Sequence, residues 1–297
     1  MLYTVQAGET LDQIARRFGA SIEAIVNANV ICYPGLLFAG QVLIIPNRDL
    51  DLPKSGGGPY YLVLPEDTLH CLAGQFNTSV PVLAENNQLK SPDSVHAYTD
   101  LLVIPARPDI FKLQTSWQST PAADCTVFEP QRHGIYYMGS FLWTAFGLGA
   151  LPPLLALLRH PCPVVRYYTV LSLGRIARDV NGRVKRALQA CFNDSDPATA
   201  GLARLALRRL RLAERGYRRT RLLIGDDILV GDINLPGAPA SPLAFGSELI
   251  VLRWHIPSPT GEEGPRGGVL IYDQVQVIDS GKIGFLARRG DAEVSFL

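Results

Sequence analysis

The N-terminal part of the chain alternates short apolar segments with segments whose apolar residues recur at helical spacing. Tyr3–Val5 is β-branched and aromatic, which predicts a strand, and apolar residues three or four apart predict a helix over Leu11–Phe18. Ser21 marks the start of a second helix, and Val42–Ile45 predicts a second strand. Residues 2–46 are therefore predicted to form strand, helix, helix and strand in that order.

Turn and capping residues divide these elements. Gly8 permits a tight turn after the first strand, and Thr10 is placed to cap the first helix while Glu9 faces the positive end of its dipole. Gly19 follows the helix as a C-terminal glycine would. Gly8–Thr10 is therefore predicted to be a tight loop that leads directly into a helix.

The same pattern occurs again at an offset of 58 residues. The matched pairs are Tyr3 with Tyr61, Val5 with Val63, Thr10 with Thr68, Phe18 with Phe76, Ser21 with Ser79 and Asn29 with Asn87. Residues 60–106 thus form a second copy, and the glycine-rich segment 48–59 between the copies is predicted to be a flexible linker. The second copy departs from the first because Glu66 stands in place of the loop glycine, so its function is left open.

The stretch YTVQAGETLDQIARRFGASIEAIVNANV, followed by LLFAGQVLIIP, resembles a LysM module, and the second copy resembles a degenerate one. The resemblance implies a βααβ fold that binds glycans containing N-acetylglucosamine, such as peptidoglycan or chitin. It also implies that the sugar lies between the first strand–helix loop and the loop before the last strand. Backbone groups of both loops would hydrogen-bond the sugar while apolar side chains cover its face.

Carried over to this chain, the resemblance gives a set of candidate glycan-binding residues from the two loops of residues 1–47. These are Gly8, Glu9, Thr10, Leu11, Asn29, Pro34, Gly35, Leu36, Leu37 and Phe38. A structural alternative stays open for several of them, because Leu11 and Leu37 also fit a hydrophobic core and Thr10 also fits a helix cap.

The remaining chain changes from helical to extended patterns. After a connector at 107–150 with irregular or helical character, two helix–turn–helix patterns in 151–216 align at an offset of 34 and resemble HEAT-type repeats. Residues 217–297 read as short strands separated by Gly and Pro clusters, which predicts an antiparallel barrel or sandwich. The fold class is therefore multidomain α+β.

Charge is unevenly distributed along the chain. Residues 159–221 carry fourteen arginines and one lysine against four acidic residues, whereas the rest carries 13 basic and 23 acidic residues. The arginine-rich helices indicate either solvated faces balanced within the molecule or a protein partner with an acidic surface. We expect no nucleic-acid partner, because no nucleic-acid-binding motif accompanies the charge.

The cysteines and histidines indicate neither a metal site nor catalysis. The five cysteines are scattered and odd in number, so free thiols in a reducing cytosol are expected, with no metal and no cofactor. We find no nucleophile paired with a base, and predict that the chain is not an enzyme. No signal peptide is predicted. No clear membrane span is predicted either, because Pro152–Pro153 interrupts the most apolar stretch, 138–158.

The sequence therefore predicts a non-catalytic protein that docks on peptidoglycan or a chitin-type glycan and presents its helical and β parts to other proteins. We expect synthesis in a bacterial cytoplasm and, by analogy with LysM proteins of spore-forming bacteria, association with the cell wall or spore cortex. Two alternatives stay open. One is a cell-wall hydrolase with an unrecognised catalytic domain in 217–297, and the other is a scaffold whose LysM modules bind no sugar.

Overall fold

The computed structural model describes most of the chain. The described residues are 2–38, 41–46, 60–87, 89–97, 100–103, 109–121, 125, 130–264, 269–288 and 297. The predicted linker at 48–59, Gly40 and most of the predicted last strand at 293–297 lie outside them.

Residues 2–46, here called module 1, have the predicted order of elements. They are β1 (Leu2–Thr4), α1 (Leu11–Phe18), α2 (Ile22–Ala28) and β2 (Val42–Ile44). The two strands pair antiparallel, with Tyr3 opposite Leu43. The predicted caps are confirmed: Thr10 and Gln13 form a reciprocal capping box at the start of α1, and Gly19 ends the helix in the left-handed conformation.

Residues 60–103, here called module 2, repeat this arrangement. They contain β3 (Tyr60–Leu62), α3 (Leu69–Gln75), α4 (Val80–Asn86) and β4 (Asp100–Leu102), again with antiparallel strands. Thr68 and Ser79 cap the two helices, and proline lies in the first turn of α4, where a missing backbone N–H costs nothing. The sequence repeat is therefore a structural repeat.

One asparagine joins the second helix to the last strand in each module. Asn29 donates from its side-chain amide to the carbonyls of Ile25 and Ile44, at 2.8 and 2.7 Å, and accepts from the Ile44 amide at 2.7 Å. Asn87 makes the same bonds to Leu83 and Leu102 in module 2. This asparagine clamp satisfies strand groups that would otherwise lack partners, and it fixes where the loop before the last strand begins and ends.

Two disulfide bonds correct the expectation of free thiols. Cys32 of module 1 is bonded to Cys71 in α3 of module 2, with the sulfurs 2.06 Å apart, and Cys125 is bonded to Cys162. Cys191 is free and buried. The sequence could not show these pairs, because bonded cysteines lie 39 and 37 residues apart and meet only through tertiary packing.

Six helices follow module 2. They are α5 (Ile110–Gln118), α6 (Pro130–Phe146), α7 (Leu151–Leu157), α8 (Pro163–Ile176), α9 (Arg183–Ala190) and α10 (Pro197–Glu214). The predicted offset of 34 places prolines in the first turns of the long helices α8 and α10. Two short–long helix pairs are thus present, while their identity as HEAT-type repeats stays a prediction.

Many arginines of this region hold the fold together. Arg166 of α8 donates two hydrogen bonds of 2.8 Å to the carboxylate of Asp194, which precedes α10. Arg175 lies over the ring of Phe141 at 4.0 Å from its centroid and donates to Ser140 of α6. Arg209 is buried and donates to the Arg218 carbonyl. The exposed basic surface is therefore smaller than the sequence count indicates.

The C-terminal region forms a six-stranded antiparallel sheet. Its strands are β5 (Thr220–Leu222), β6 (Asp227–Val230), β7 (Ala240–Leu243), β8 (Glu248–Pro257), β9 (Ile271–Val277) and β10 (Ile283–Arg288), in the order β5-β8-β9-β10-β6-β7. β7 overlaps one of the Gly and Pro clusters that were expected to separate the strands, at 236–242. Pro242 is tolerated there because β7 is an edge strand, where no partner needs its missing N–H. A closed barrel or a sandwich is not confirmed.

Both modules pack against this sheet. Ile44 of β2 lies in one buried cluster with Ile256 of β8 and Tyr272 of β9. Module 2 also contacts β8 through β3. The modules therefore rest on the sheet and on each other through the Cys32–Cys71 bond, rather than being held by a linker alone.

One described stretch, Gly139–Leu157, is long and apolar enough to cross a membrane. Half of it is buried in the helical core, where Phe141 and Trp143 are fully enclosed. Core helices of soluble proteins pass the same test, so this stretch is weak evidence for a membrane span.

We predict that Asn29→Ala selectively destabilises module 1. The change leaves the Ile44 N–H and C=O buried without their partner, which costs about 3 kcal/mol in the free energy of local unfolding. Amide hydrogen exchange of β2 measures this loss. Asn27→Ala, at an exposed position of the same helix, is the control and should change protection by less than about 0.5 kcal/mol. Equal protection in the two variants would contradict the clamp.

Candidate functional site

The first loop of module 1 is an exposed turn between β1 and α1. Gly8 has φ of +81°, a conformation that favours glycine, and a Cβ added there would meet no atom within 4 Å. Among the described residues, neither the Ala7 nor the Gly8 backbone amide donates a hydrogen bond. The loop thus presents, at two exposed residues, backbone N–H groups that have no partner among the described residues.

Glu9 holds this loop from within. Its carboxylate accepts from the Tyr3 hydroxyl at 2.7 Å and from the Gln6 amide at 2.8 Å, and it forms an ion pair with Arg17 at 2.7 Å. Arg17 also donates to the Tyr3 hydroxyl. The Tyr3 hydrogen bond, followed by that of the Gln6 amide, lowers the pKa of Glu9. The side chain of Glu9 therefore acts as a brace for the loop.

The second loop, described at residues 30–38 and 41, lies beside the first. The Val5 amide donates to the Gln41 carbonyl at 2.9 Å, which joins the start of one loop to the end of the other. Leu37 packs against the core cluster that contains Leu11. A turn closed by the Leu36 amide and the Tyr33 carbonyl, 2.9 Å apart, leaves the tip of the loop in solvent.

The predicted site residues fall into three groups by exposure. Gly8, Thr10, Pro34, Gly35 and Leu36 are exposed, Glu9, Leu37 and Phe38 are half-buried, and Leu11 and Asn29 are buried. Leu11 is 4% and Asn29 3% exposed, so their side chains belong to the scaffold that positions the loops. Thr10 uses its hydroxyl to cap α1. The exposed group is divided between the two loops, with Gly8 and Thr10 on the first and Pro34, Gly35 and Leu36 on the second.

Sequence reasoning missed one exposed residue at this site, Tyr33. Its side chain is 50% exposed, beside Leu36 at 42%, and the two present aromatic and aliphatic surface on the second loop. The sequence does indicate this exposure, because Tyr33 directly precedes the turn-forming pair Pro34-Gly35 and turns lie at the surface. Such a surface suits the apolar face of a sugar ring.

Module 2 has the same loop brace with a different turn residue. Asp67 accepts from the Tyr61 hydroxyl and the Leu64 amide, both at 2.8 Å, as Glu9 does in module 1. Burial raises the pKa of Asp67. Glu66, at the position of Gly8, has φ of +69°, so the turn keeps its left-handed conformation without glycine.

Within the described ranges, no group of three or more His, Cys, Asp or Glu residues is arranged to hold a metal ion. The chemistry that the site offers comes from backbone amides, carboxylates and apolar side chains.

A family model for the LysM domain matches residues 3–46 and 61–103. The chain carries two LysM domains. Such domains bind peptidoglycan or chitin-type glycans. The degenerate second copy is a LysM domain as well, as its loop brace and asparagine clamp indicate.

Several relatives share part of the chain. The secreted LysM effector ECP6 of Passalora fulva is 28% identical over 36% of this chain and 53% of its own length. An autolysin of Enterococcus faecalis is 32% identical over 34% of this chain and 15% of its own length. An N-acetylmuramoyl-L-alanine amidase of Staphylococcus aureus is 31% identical over 30% of this chain and 29% of its own length. The matches thus span about half or less of each relative.

Among solved structures, the spore cortex-lytic enzyme SleL of Bacillus cereus is 17% identical, with coverage of 60% of this chain and 48% of that one. The TM-score is 0.19, which does not establish a shared arrangement over that length.

We predict that the pKa values of the two loop carboxylates, Glu9 and Asp67, are shifted in opposite directions from their ordinary values. Because the pKa of Glu9 is lowered, its brace persists as pH falls below the ordinary glutamate value and is lost only as pH falls through the lowered pKa. Asp67 has a raised pKa, so it takes up its proton above the ordinary aspartate value. A pH titration of the Gln6 and Leu64 amide resonances measures both.

The controls for this titration are Glu9→Gln and Asp67→Asn, which should each abolish the transition at the amide they contact. The prediction would be contradicted if the Gln6 and Leu64 resonances titrated with midpoints at the ordinary pKa values of glutamate and aspartate.

Proposed function

We propose that this chain binds glycans containing N-acetylglucosamine through the two loops of its first LysM domain. The observation that carries the proposal is the pairing of unused backbone amides at Gly8 with the exposed side chains of Tyr33 and Leu36 on the adjoining loop. Amides suit the carbonyl of an acetamido group and the sugar hydroxyls, and apolar side chains suit the ring face. Both features occur at the loops through which LysM domains bind.

The non-catalytic part of the proposal concerns the rest of the chain. We place the LysM pair as an anchor and the helices and sheet as the part that meets other proteins. On α10, Arg204, Arg208 and Arg211 are exposed along one side of the helix, and Arg215, which follows its last residue, is exposed as well. Arg208 is neutralised by Glu248, at 2.6 Å, whereas Arg211 and Arg215 have no ion pair within the described residues. That end of α10 is the surface that suits an acidic protein partner.

The cell wall is the proposed location, because that is where peptidoglycan is met. The spore cortex stays an analogy from LysM proteins of spore formers. Two disulfides fit a site of action outside a reducing cytosol better than inside it.

A wall hydrolase is the second candidate, and it is favoured by the names of two relatives, an autolysin and an amidase. Clearing of a peptidoglycan suspension by the purified full chain would support this candidate. An unchanged suspension, at protein concentrations where the chain is retained on the same peptidoglycan, would support the anchor.

We predict that Gly8→Leu reduces retention of the full chain on insoluble peptidoglycan and chitin at least tenfold. A leucine at Gly8 adds bulk beside the loop amides, and the loss of one or two hydrogen bonds to the sugar accounts for about 1.4 kcal/mol or more. Retention is measured as the bound fraction after sedimentation with the polysaccharide.

Gly19→Leu is the matched control. Gly19 also has a positive φ, +64°, and open space around an added Cβ, but it lies at the far end of α1. Both variants place a leucine at a positive φ, so a loss of retention confined to Gly8→Leu reflects the first loop rather than backbone strain in general. Equal retention of the two variants would refute the loop site, and no retention of the unaltered chain would leave a scaffold that binds no sugar.

A further inference from the structure

An open groove separates the two LysM domains, on the side of the second loop that faces module 2. It has a volume of about 410 Å³ and is lined by Tyr33, Pro34, Gly35 and Leu36 of module 1 and by Glu66 of module 2. A narrower recess shares Tyr33 and Leu36 with it and extends to Leu64 and Asp67. The groove therefore joins the second loop of one domain to the first loop of the other.

The second loop of module 1 is common to two surfaces. It adjoins the first loop of its own domain through the bond between Val5 and Gln41, and it forms one wall of the groove. Tyr33 and Leu36, its exposed apolar residues, line that wall. A ligand that contacts Tyr33 and Leu36 of the second loop is therefore at the edge of the groove.

Glu66 is held in a conformation that few residues with a side chain adopt. Its φ of +69° disfavours any side chain with a Cβ, yet glycine occupies the equivalent position in module 1. The side chain is exposed and lines the groove. Non-glycine residues kept in this region commonly mark functional sites. A carboxylate accepts hydrogen bonds from sugar hydroxyls and amides, which suits a glycan entering from module 1.

Three contacts hold the walls of the groove together. Cys32, next to Tyr33, is bonded to Cys71 of α3. Gln75 of α3 donates to the Ile31 carbonyl at 3.4 Å, and Val30 packs in the core cluster of module 2. Because the disulfide is the one covalent contact among these, it limits how far the two loops can separate.

We infer that the two LysM domains form one composite glycan site, in which Glu66 and the second loop of module 1 bind further sugar residues of a strand already held by module 1. This inference rests on the proposed function. Module 2 then acts as the second wall of the site rather than as an independent binder. The occupant is an oligosaccharide of N-acetylglucosamine longer than the loops of module 1 cover alone.

The first test compares short and long ligands. Chitotriose and chitohexaose are titrated into the full chain by calorimetry, and the unaltered chain should bind the hexamer at least tenfold more tightly than the trimer. Glu66→Gly should weaken hexamer binding about tenfold, the effect of losing one charge-assisted hydrogen bond, and leave trimer binding unchanged. This variant relieves backbone strain, so loss of folding does not explain a loss of affinity.

Asn77→Gly is the matched control. Asn77 is exposed, belongs to module 2 and also has a positive φ, +51°, but it does not line the groove. Its replacement should leave both affinities unchanged. The composite site is overturned if Glu66→Gly binds the hexamer as the unaltered chain does. It is also overturned if Glu66→Gly binds more tightly, since a restored loop glycine would then have made module 2 an independent binder.

The second test removes the covalent tie. Cys32→Ser with Cys71→Ser should reduce hexamer affinity toward that of the trimer, whereas Cys125→Ser with Cys162→Ser should not. Unchanged hexamer binding in the first double variant would show that the tie does not shape the site. Circular dichroism establishes that both double variants fold.

Failure of this inference is distinguishable from failure of the proposed function. If the unaltered chain binds neither oligosaccharide, the proposed function fails. If it binds trimer and hexamer equally and Gly8→Leu abolishes both, module 1 is a binder and the composite site alone is wrong.

Discussion

Each LysM domain of this chain depends on one asparagine, buried in module 1 and half-buried in module 2, that joins a helix end to the last strand. Asn29 and Asn87 each bond one strand N–H, one strand carbonyl and one carbonyl of the preceding helix. Because these strands have only three residues, few ladder bonds hold them, and the side-chain clamp supplies what the ladder lacks. The clamp also fixes both ends of the second loop, and that loop carries the exposed tyrosine of the proposed site.

A second constraint, a carboxylate inside each domain, fixes the first loop. Residues that support the loops can therefore be distinguished from residues that are free to contact a ligand. A carboxylate at Glu9 or Asp67 ties the loop to a strand tyrosine and to a backbone amide. The loop can then hold its amides toward solvent without collapsing onto the helix. Residues that the family resemblance offered as ligand contacts therefore divide into those that support the loops, such as Leu11 and Asn29, and those that face solvent, such as Gly8 and Leu36.

The sequence was most informative where local chemistry decides structure. Helix caps at Thr10 and Ser21 and the glycine at Gly19 are set by neighbouring residues, and they appear where expected. The disulfide of Cys32 with Cys71, the contact of Ile44 with the C-terminal sheet and the burial of Asn29 depend on which surfaces meet. The periodicity of one segment carries no information on which distant surfaces contact each other, so these tertiary features are known only from the structure.

The most direct measurement of the central claim is an amide chemical-shift titration of the full chain with chitotriose. If the two loops of the first LysM domain bind the acetamido sugar, the amides of Gly8, Gly35 and Leu37 should shift together with one dissociation constant, while those of α1 beyond its first turn stay in place. Resonances of both loops that remain unchanged at millimolar sugar would contradict the account.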